Sequence, residues 1–324
     1  MEFDVSQLGD LPRLMILAVV QGIAEFLPIS SSGHLNVGAE YLGGKPNHRV
    51  NIALHFGTLL SILLYYRVRI LDLLRSDRRV IPLLIVGTMP AVIVGLAIKK
   101  IWPWLEEDLL VTGVMLCITG MGLCWFQKLG RRHPDESGAD DSPEAVPGKS
   151  DGSAASEEIP SAGSGSATGE RSQHASREET VTPLARGKDY AELRFGQAIL
   201  IGCFQAFAIL PGISRSGSTI LAGLLVGLKD RSAATFSFLL AIPAILGATV
   251  LEVVDVVQRP TEGEYSLALL GLAMLVSFVV GLLSLALLVK MLSRGILHWF
   301  AIWVLPLGMI VIIWQLYEQL SERI

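Results

Sequence analysis

Apolar residues in this chain come in long blocks, roughly 11–29, 35–43, 51–66, 80–98 and 109–126. After a hydrophilic interval they resume at 195–213, 219–228, 233–257, 266–289 and 296–317. A helix crosses a bilayer with about 20 such residues, about 30 Å at 1.5 Å per residue. Unbroken blocks, in place of the stripes of a water-soluble helix, predict an all-α integral membrane protein. Only 17% of the 324 residues are charged, too few to solvate a soluble domain of this length. The net charge of -4 carries no basic tail, so nucleic acid is not expected as a partner. Cys117, Cys124 and Cys203 sit inside apolar blocks without paired spacing and read as packing residues. Met1-Glu2-Phe3-Asp4 lacks the positive region of a cleavable signal.

Two blocks are interrupted in the same way. Residues 11–27 make about 17 residues of helix, roughly 25 Å, marginal for crossing, and the next block is too short to cross alone. Between them stands Pro28-Ile29-Ser30-Ser31-Ser32-Gly33. The pattern returns as Pro211-Gly212-Ile213-Ser214-Arg215-Ser216-Gly217 between two further short apolar runs. Gln-x-x-Ala precedes both interruptions, at residues 21–24 and 205–208, and one gap aligns them. A helix that enters, breaks in a polar loop and returns accounts for each, provided protein or water satisfies the loop. Each hairpin, about 11–43 and about 195–228, is followed by three spans, and three is odd. The fold expected is therefore two inverted-topology repeats, 1–126 and 194–324, each a re-entrant helix hairpin plus three transmembrane helices. Paired broken helices in inverted halves point to a site near the midplane.

Arg67, Arg69, Arg75, Arg78 and Arg79 follow the first full span, and further basic residues fall at Lys128, Arg131, Arg132, Lys229, Arg231, Lys290 and Arg294. All of these fall on one side, which the bias of Lys and Arg makes cytoplasmic; Lys99 and Lys100, beside Glu106, Glu107 and Asp108, fall outside. The first hairpin then enters from outside and the second from the cytoplasm. Residues 127–193 read as a cytoplasmic linker, rich in Ser, Gly, Glu, Asp and Pro and expected to be largely disordered. His133 and His174 within it read as solvated side chains.

The polar residues held at depth carry the chemistry. A carboxylate at a bilayer centre costs about 2.5–3.5 kcal/mol on insertion scales. Glu25 is therefore read either as a paired structural group or as a general base or metal ligand. Gln21 lies one turn earlier on the same face. Ser30, Ser31, Ser32, Gly33 and His34 combine hydroxyls, a permissive glycine and an imidazole suited to a phosphate. Ser214, Ser216 and Gly217 repeat that cradle. Arg215 needs an anion in apolar surroundings, and its planar fork matches phosphate oxygens. A plain Glu25–Arg215 ion pair is the structural alternative. His55 is a second histidine within an apolar block and a candidate for the pocket wall. Ser31, His34 and an activated water all fit as the nucleophile, with charge on the phosphoryl oxygens to be stabilised.

Gly22-Ile23-Ala24-Glu25-Phe26-Leu27-Pro28-Ile29-Ser30-Ser31-Ser32-Gly33-His34 and the segment from Pro211 through Gly217 resemble the two signature motifs of the undecaprenyl-diphosphate phosphatases of the bacitracin-resistance type. The resemblance covers nearly all of the chain outside the linker. It implies hydrolysis of the lipid diphosphate to the monophosphate carrier used in cell-wall synthesis, at the outer face of a bacterial inner membrane. It also implies inverted repeats with re-entrant hairpins, catalytic Glu25, Ser31, His34 and Arg215, and a divalent cation (Mg2+ or Ca2+) with Glu25 as its ligand. Expected partners are a polyprenyl diphosphate and membrane lipid, with a homodimer as one option. Gln21 stands where many members have a second Glu, Ser32 stands for a common Thr, and the linker is an insertion. A polyprenyl-phosphate flippase using the same site without cleavage is the rival reading; the pairing of Glu25 with His34 favours an enzyme.

Overall fold

The computed structural model describes residues 10–42, 48–106, 108–130, 187–258 and 265–321, which pack as one unit built from both halves of the chain. The first half holds α1 (Leu11–Ala24), α2 (Ser31–Tyr41), α3 (His48–Tyr65), α4 (Arg67–Arg75), α5 (Val80–Ile101) and α6 (Leu109–Gly130). The second holds α7 (Phe195–Phe207), α8 (Arg215–Leu225), α9 (Asp230–Gln258), α10 (Leu267–Ser293) and α11 (Ala301–Ser321). Among the described residues, β structure is limited to one isolated bridge, Lys188 with Leu228. The chain is an all-helical, multi-pass membrane protein. Four segments, in α5, in α9, in α10 and in Leu297–Ser321, are long and apolar enough to cross a bilayer. Only 22–33% of their apolar windows is buried, so most of that surface faces outward, as lipid contact requires.

Lipid tails are as apolar as leucine, so helices in a membrane associate through close backbone approach and hydrogen bonds. The seam between α3 and α10 uses both. Ser277 Oγ donates to the Leu54 carbonyl at 2.9 Å and Ser61 Oγ to the Phe278 carbonyl at 2.7 Å. A Cβ on Gly57 would stand 2.4 Å from the Met274 carbonyl oxygen. In the same way α7 lies on α5, where a Cβ on Gly202 would come within 2.1 Å of the Gly87 oxygen. α1 lies on α10, α5 meets α9, and α6 pairs with α11. Phe26, fully buried, sets its ring 5.7 Å from that of Phe238 on α9, tilted by 55°, and fixes the chain just after Glu25.

Three expectations change. The basic stretch after α3 is not a loop but α4, whose Ile70 and Leu73 are spaced to face the core while its arginines point away. The Ser-Gly segments are not loops either: residues 31–33 and 215–217 form the first turns of α2 and α8, because serine is a strong helix N-cap. Finally, ordered structure reaches into the expected linker. α6 continues to Gly130, and 187–193 carries the bridge, a 3-10 turn at Tyr190–Glu192 and buried Leu193. Residues 131–186, with Arg131, Arg132, His133 and His174, lie outside the described residues, as do residues 1–9. The three cysteines are free thiols.

Candidate active site

The two Ser-x-Ser-Gly segments cap their helices with the same hydrogen bond. Ser30 Oγ accepts the Gly33 amide at 3.2 Å, and Ser214 Oγ accepts the Gly217 amide at 3.1 Å. Each capping hydroxyl also touches the serine two residues on, Ser32 at 3.3 Å and Ser216 at 3.2 Å. The two helix starts face each other across a tight contact. A Cβ on Gly33 would meet the Gly212 Cα at 3.2 Å, and one on Gly217 would meet Pro28 at 3.2 Å. Thr119 of α6 secures the second turn, accepting the Ser214 amide at 3.1 Å and donating to the Gly212 carbonyl at 2.8 Å. Helix N-termini leave amide groups unpaired and carry partial positive charge, so this junction suits an anion.

The residue between the two serines differs, and both versions reach one carboxylate. Ser31 Oγ donates to Glu25 Oε2 at 2.7 Å. Arg215 Nη2 donates to Glu25 Oε1 in an ion pair. Gln21 Nε2 adds a third bond to Oε2 at 3.0 Å, as its place one turn before Glu25 allows. Glu25 is 6% exposed and ends α1, where its amide bonds the Gln21 carbonyl. The alternative of a Glu25–Arg215 pair is thus realised, yet Arg215 is not used up. Its Nη1 is buried without a hydrogen-bond partner, a costly state that a phosphate oxygen would relieve.

Glu25, Ser31, Ser32, His55 and Arg215 wall a cavity of about 260 Å3. Its other wall is apolar, with Ile209, Ile213, Ala244 and Ile245, so a polar end and an apolar lip share one opening. Thr249 and Glu252 of α9 complete it, and neither was singled out in the sequence. Glu252 had a signal there, as a carboxylate inside an apolar block. A larger cavity of about 370 Å3 lies among α6, α7 and α8 and reaches Ser214 and Ser218. No charged side chain lines it, whereas Glu25, Arg215 and Glu252 line the smaller one.

The two histidines lie in different settings. His55 Nδ1 donates to the Asn51 carbonyl at 2.9 Å, which turns Nε2 toward the cavity side, 3.9 Å from Glu25 Oε2. His34 does not line the cavity. Trp303 Nε1 donates to His34 Nε2 at 2.9 Å, so His34 carries its proton on Nδ1 and donates it to the Ser30 carbonyl at 2.8 Å. As for a metal, both Glu25 oxygens already receive donors. Among the described residues no group of three His, Cys, Asp or Glu side chains could hold an ion. The residues present do not form a protein-only metal cage.

The family described as bacitracin resistance protein BacA matches residues 14–147 and 167–310 of this chain. A Rhodopirellula baltica protein named undecaprenyl-diphosphatase is 43% identical over 308 residues, covering 95% of this chain and 99% of its own. Proteins of the same name from Alkaliphilus metalliredigens and Desulforapulum autotrophicum are 32% and 31% identical, over 94% and 92% of this chain and 98% and 96% of theirs.

Proposed function

Since the chain belongs to the bacitracin resistance protein BacA family, we propose that it is an undecaprenyl-diphosphatase, releasing inorganic phosphate and the lipid monophosphate. One observation carries this most strongly: Ser31 and Arg215, at matching places in two copies of one motif, converge on Glu25 at the wall of a half-polar, half-apolar cavity. A diphosphate bearing a lipid needs such a division. The relatives' names favour cleavage over the flippase reading.

The terminal phosphate enters against Arg215, whose free Nη1 and helix-start amides receive its oxygens. Sharing the guanidinium with phosphate loosens the ion pair between Arg215 and Glu25 and leaves the carboxylate available to accept a proton. Ser31 Oγ then attacks phosphorus, its proton passing to Glu25. The bond from phosphorus to the bridging oxygen breaks, and its electron pair leaves on the lipid monophosphate. Water cleaves the phosphoserine and releases inorganic phosphate. Arg215 and the amides stabilise charge on the phosphoryl oxygens throughout. A divalent cation, if bound, would have Glu25 as its side-chain ligand and would supply neutralisation of the phosphate charge.

Placement in two inverted repeats, each opening on a re-entrant hairpin, is supported by the duplicated caps and by matched packing, α1 on α10 beside α7 on α5. The expected orientation puts the basic start of α9, near Lys229 and Arg231, in the cytoplasm. The cavity lies along the far half of α9, from Ala244 to Glu252, which agrees with a site facing outside a bacterial inner membrane.

Purified protein in detergent, given undecaprenyl or farnesyl diphosphate, is expected to release inorganic phosphate, and acid quenching is expected to trap phosphate on Ser31. Lipid movement across liposomes without phosphate release would replace this reading with the flippase.

A further inference from the structure

His34 and Ser218 hold the same place in the two copies, four residues after the capping serine, and the backbone before them differs. Ser30 has φ 71°, the only described residue other than glycine with a positive φ. Ser214, its counterpart, has an ordinary φ of -74°. Left-handed backbone is disfavoured for a residue with a Cβ and persists where surroundings hold it. In the first copy the Ser30 carbonyl accepts both the His34 amide at 3.2 Å and the His34 ring Nδ1–H at 2.8 Å. In the second, the Ser214 carbonyl accepts the Ser218 amide at 2.9 Å, and serine offers no ring. The unusual conformation and the imidazole occur together in one copy and are both missing from the other.

Trp303 of α11 fixes the far side of the ring. Its indole donates to Nε2 and lies nearly parallel to the imidazole, centroids 6.3 Å apart at 20°. Both nitrogens of His34 are therefore engaged, and the ring stands outside the cavity. His55 likewise donates Nδ1–H to the carbonyl four residues earlier, but it walls the cavity, and its Nε2 lies 3.9 Å from Glu25 Oε2.

We propose that His34 is a positioning residue, which with Trp303 holds Ser30 in its left-handed conformation and so aims Ser31 at Glu25, and that the imidazole meeting the substrate is His55. The proposal rests on the phosphatase reading above.

Glycine adopts a positive φ freely, and as a cap it loses little relative to serine. Ser30→Gly therefore removes the need for the clamp while keeping the helix start. Phosphate release is measured on the full-length chain for wild type, His34→Leu, Ser30→Gly and the double variant, with thermal unfolding of each. His34→Leu is expected to lower kcat about a hundredfold, the scale of a small misplacement of a reacting group, with KM changed little. In the Ser30→Gly background the same substitution is expected to cost less than about tenfold. An equal penalty in both backgrounds would overturn the positioning role. Amides give a second readout, because the Asn side-chain N–H stands in for Nδ1 and the Gln amide for Nε2. His34→Asn should recover most of the loss where His34→Gln does not, and at His55 the order should reverse. The same order at both histidines would also overturn the proposal. A wild type that releases no phosphate would instead count against the phosphatase reading itself.

Discussion

The starts of α2 and α8 are two versions of one device, with the same capping hydroxyl, the same second serine and the same glycine. They diverge at three places. Ser31 faces Arg215 in sequence position, His34 faces Ser218, and a left-handed Ser30 faces an ordinary Ser214. What the copies share builds an anion cradle; what they do not share assigns the work. The first version brings a hydroxyl and the carboxylate of Glu25 behind it, and the second brings a fixed cation. On the proposed function, neither half holds base, nucleophile and cation by itself, and the reacting unit would form only where the two helix starts meet.

Changes to the divergent positions should cost most. Arg215→Ala and Glu25→Ala are each expected to lower phosphate release about 10²–10³-fold, the scale of losing one donor to developing charge. Arg215→Lys, keeping the charge without the fork, should fall between those variants and wild type. Next comes a feature of the second copy alone. Gly212 has φ 96°, and a Cβ there would stand 2.3 Å from the Thr112 carbonyl oxygen. Gly212→Ala should destabilise the fold by about 2–4 kcal/mol through overpacking and left-handed strain, read as a large drop in the unfolding temperature. The shared caps should be worth less. Ser214→Ala and Ser30→Ala are each expected to cost about 1 kcal/mol, because the left-handed strain at residue 30 is common to wild type and variant. A clearly larger loss at one cap would show that the two hydroxyls are not equivalent. The smallest change concerns the cation. Gln21→Glu places a second carboxylate beside Glu25 and should lower the Mg2+ or Ca2+ concentration giving half-maximal release; an unchanged titration would speak against any metal near Glu25.

Much of the site could be read from local pattern. The apolar blocks match the helices, and the repeat of Gln-x-x-Ala with Ser-x-Ser-Gly located both helix starts. Glu25 and Arg215 stood out because charge at depth is costly, and that cost is why they pair. Trp303 had no such signal. It meets His34 across 269 residues of sequence, and an aromatic residue in an apolar block looks the same whether it faces lipid or a histidine. The contact between His34 and Trp303 was hidden for a related reason: a Ser-Gly-His string shows the residue types present and not the direction of the ring, which α11 decides. α4 was missed because its arginines mask a short apolar face.

The central claim is that the two helix starts act as one unit on Glu25, and a double-mutant cycle between Ser31→Ala and Arg215→Ala tests it most directly. Each single change is expected to lower kcat about 10²-fold or more, and the double variant to be little worse than the poorer single one, as for groups that act together. Losses that simply multiply, to about 10⁴-fold or beyond, would mean that the two motifs contribute independently and would contradict the account.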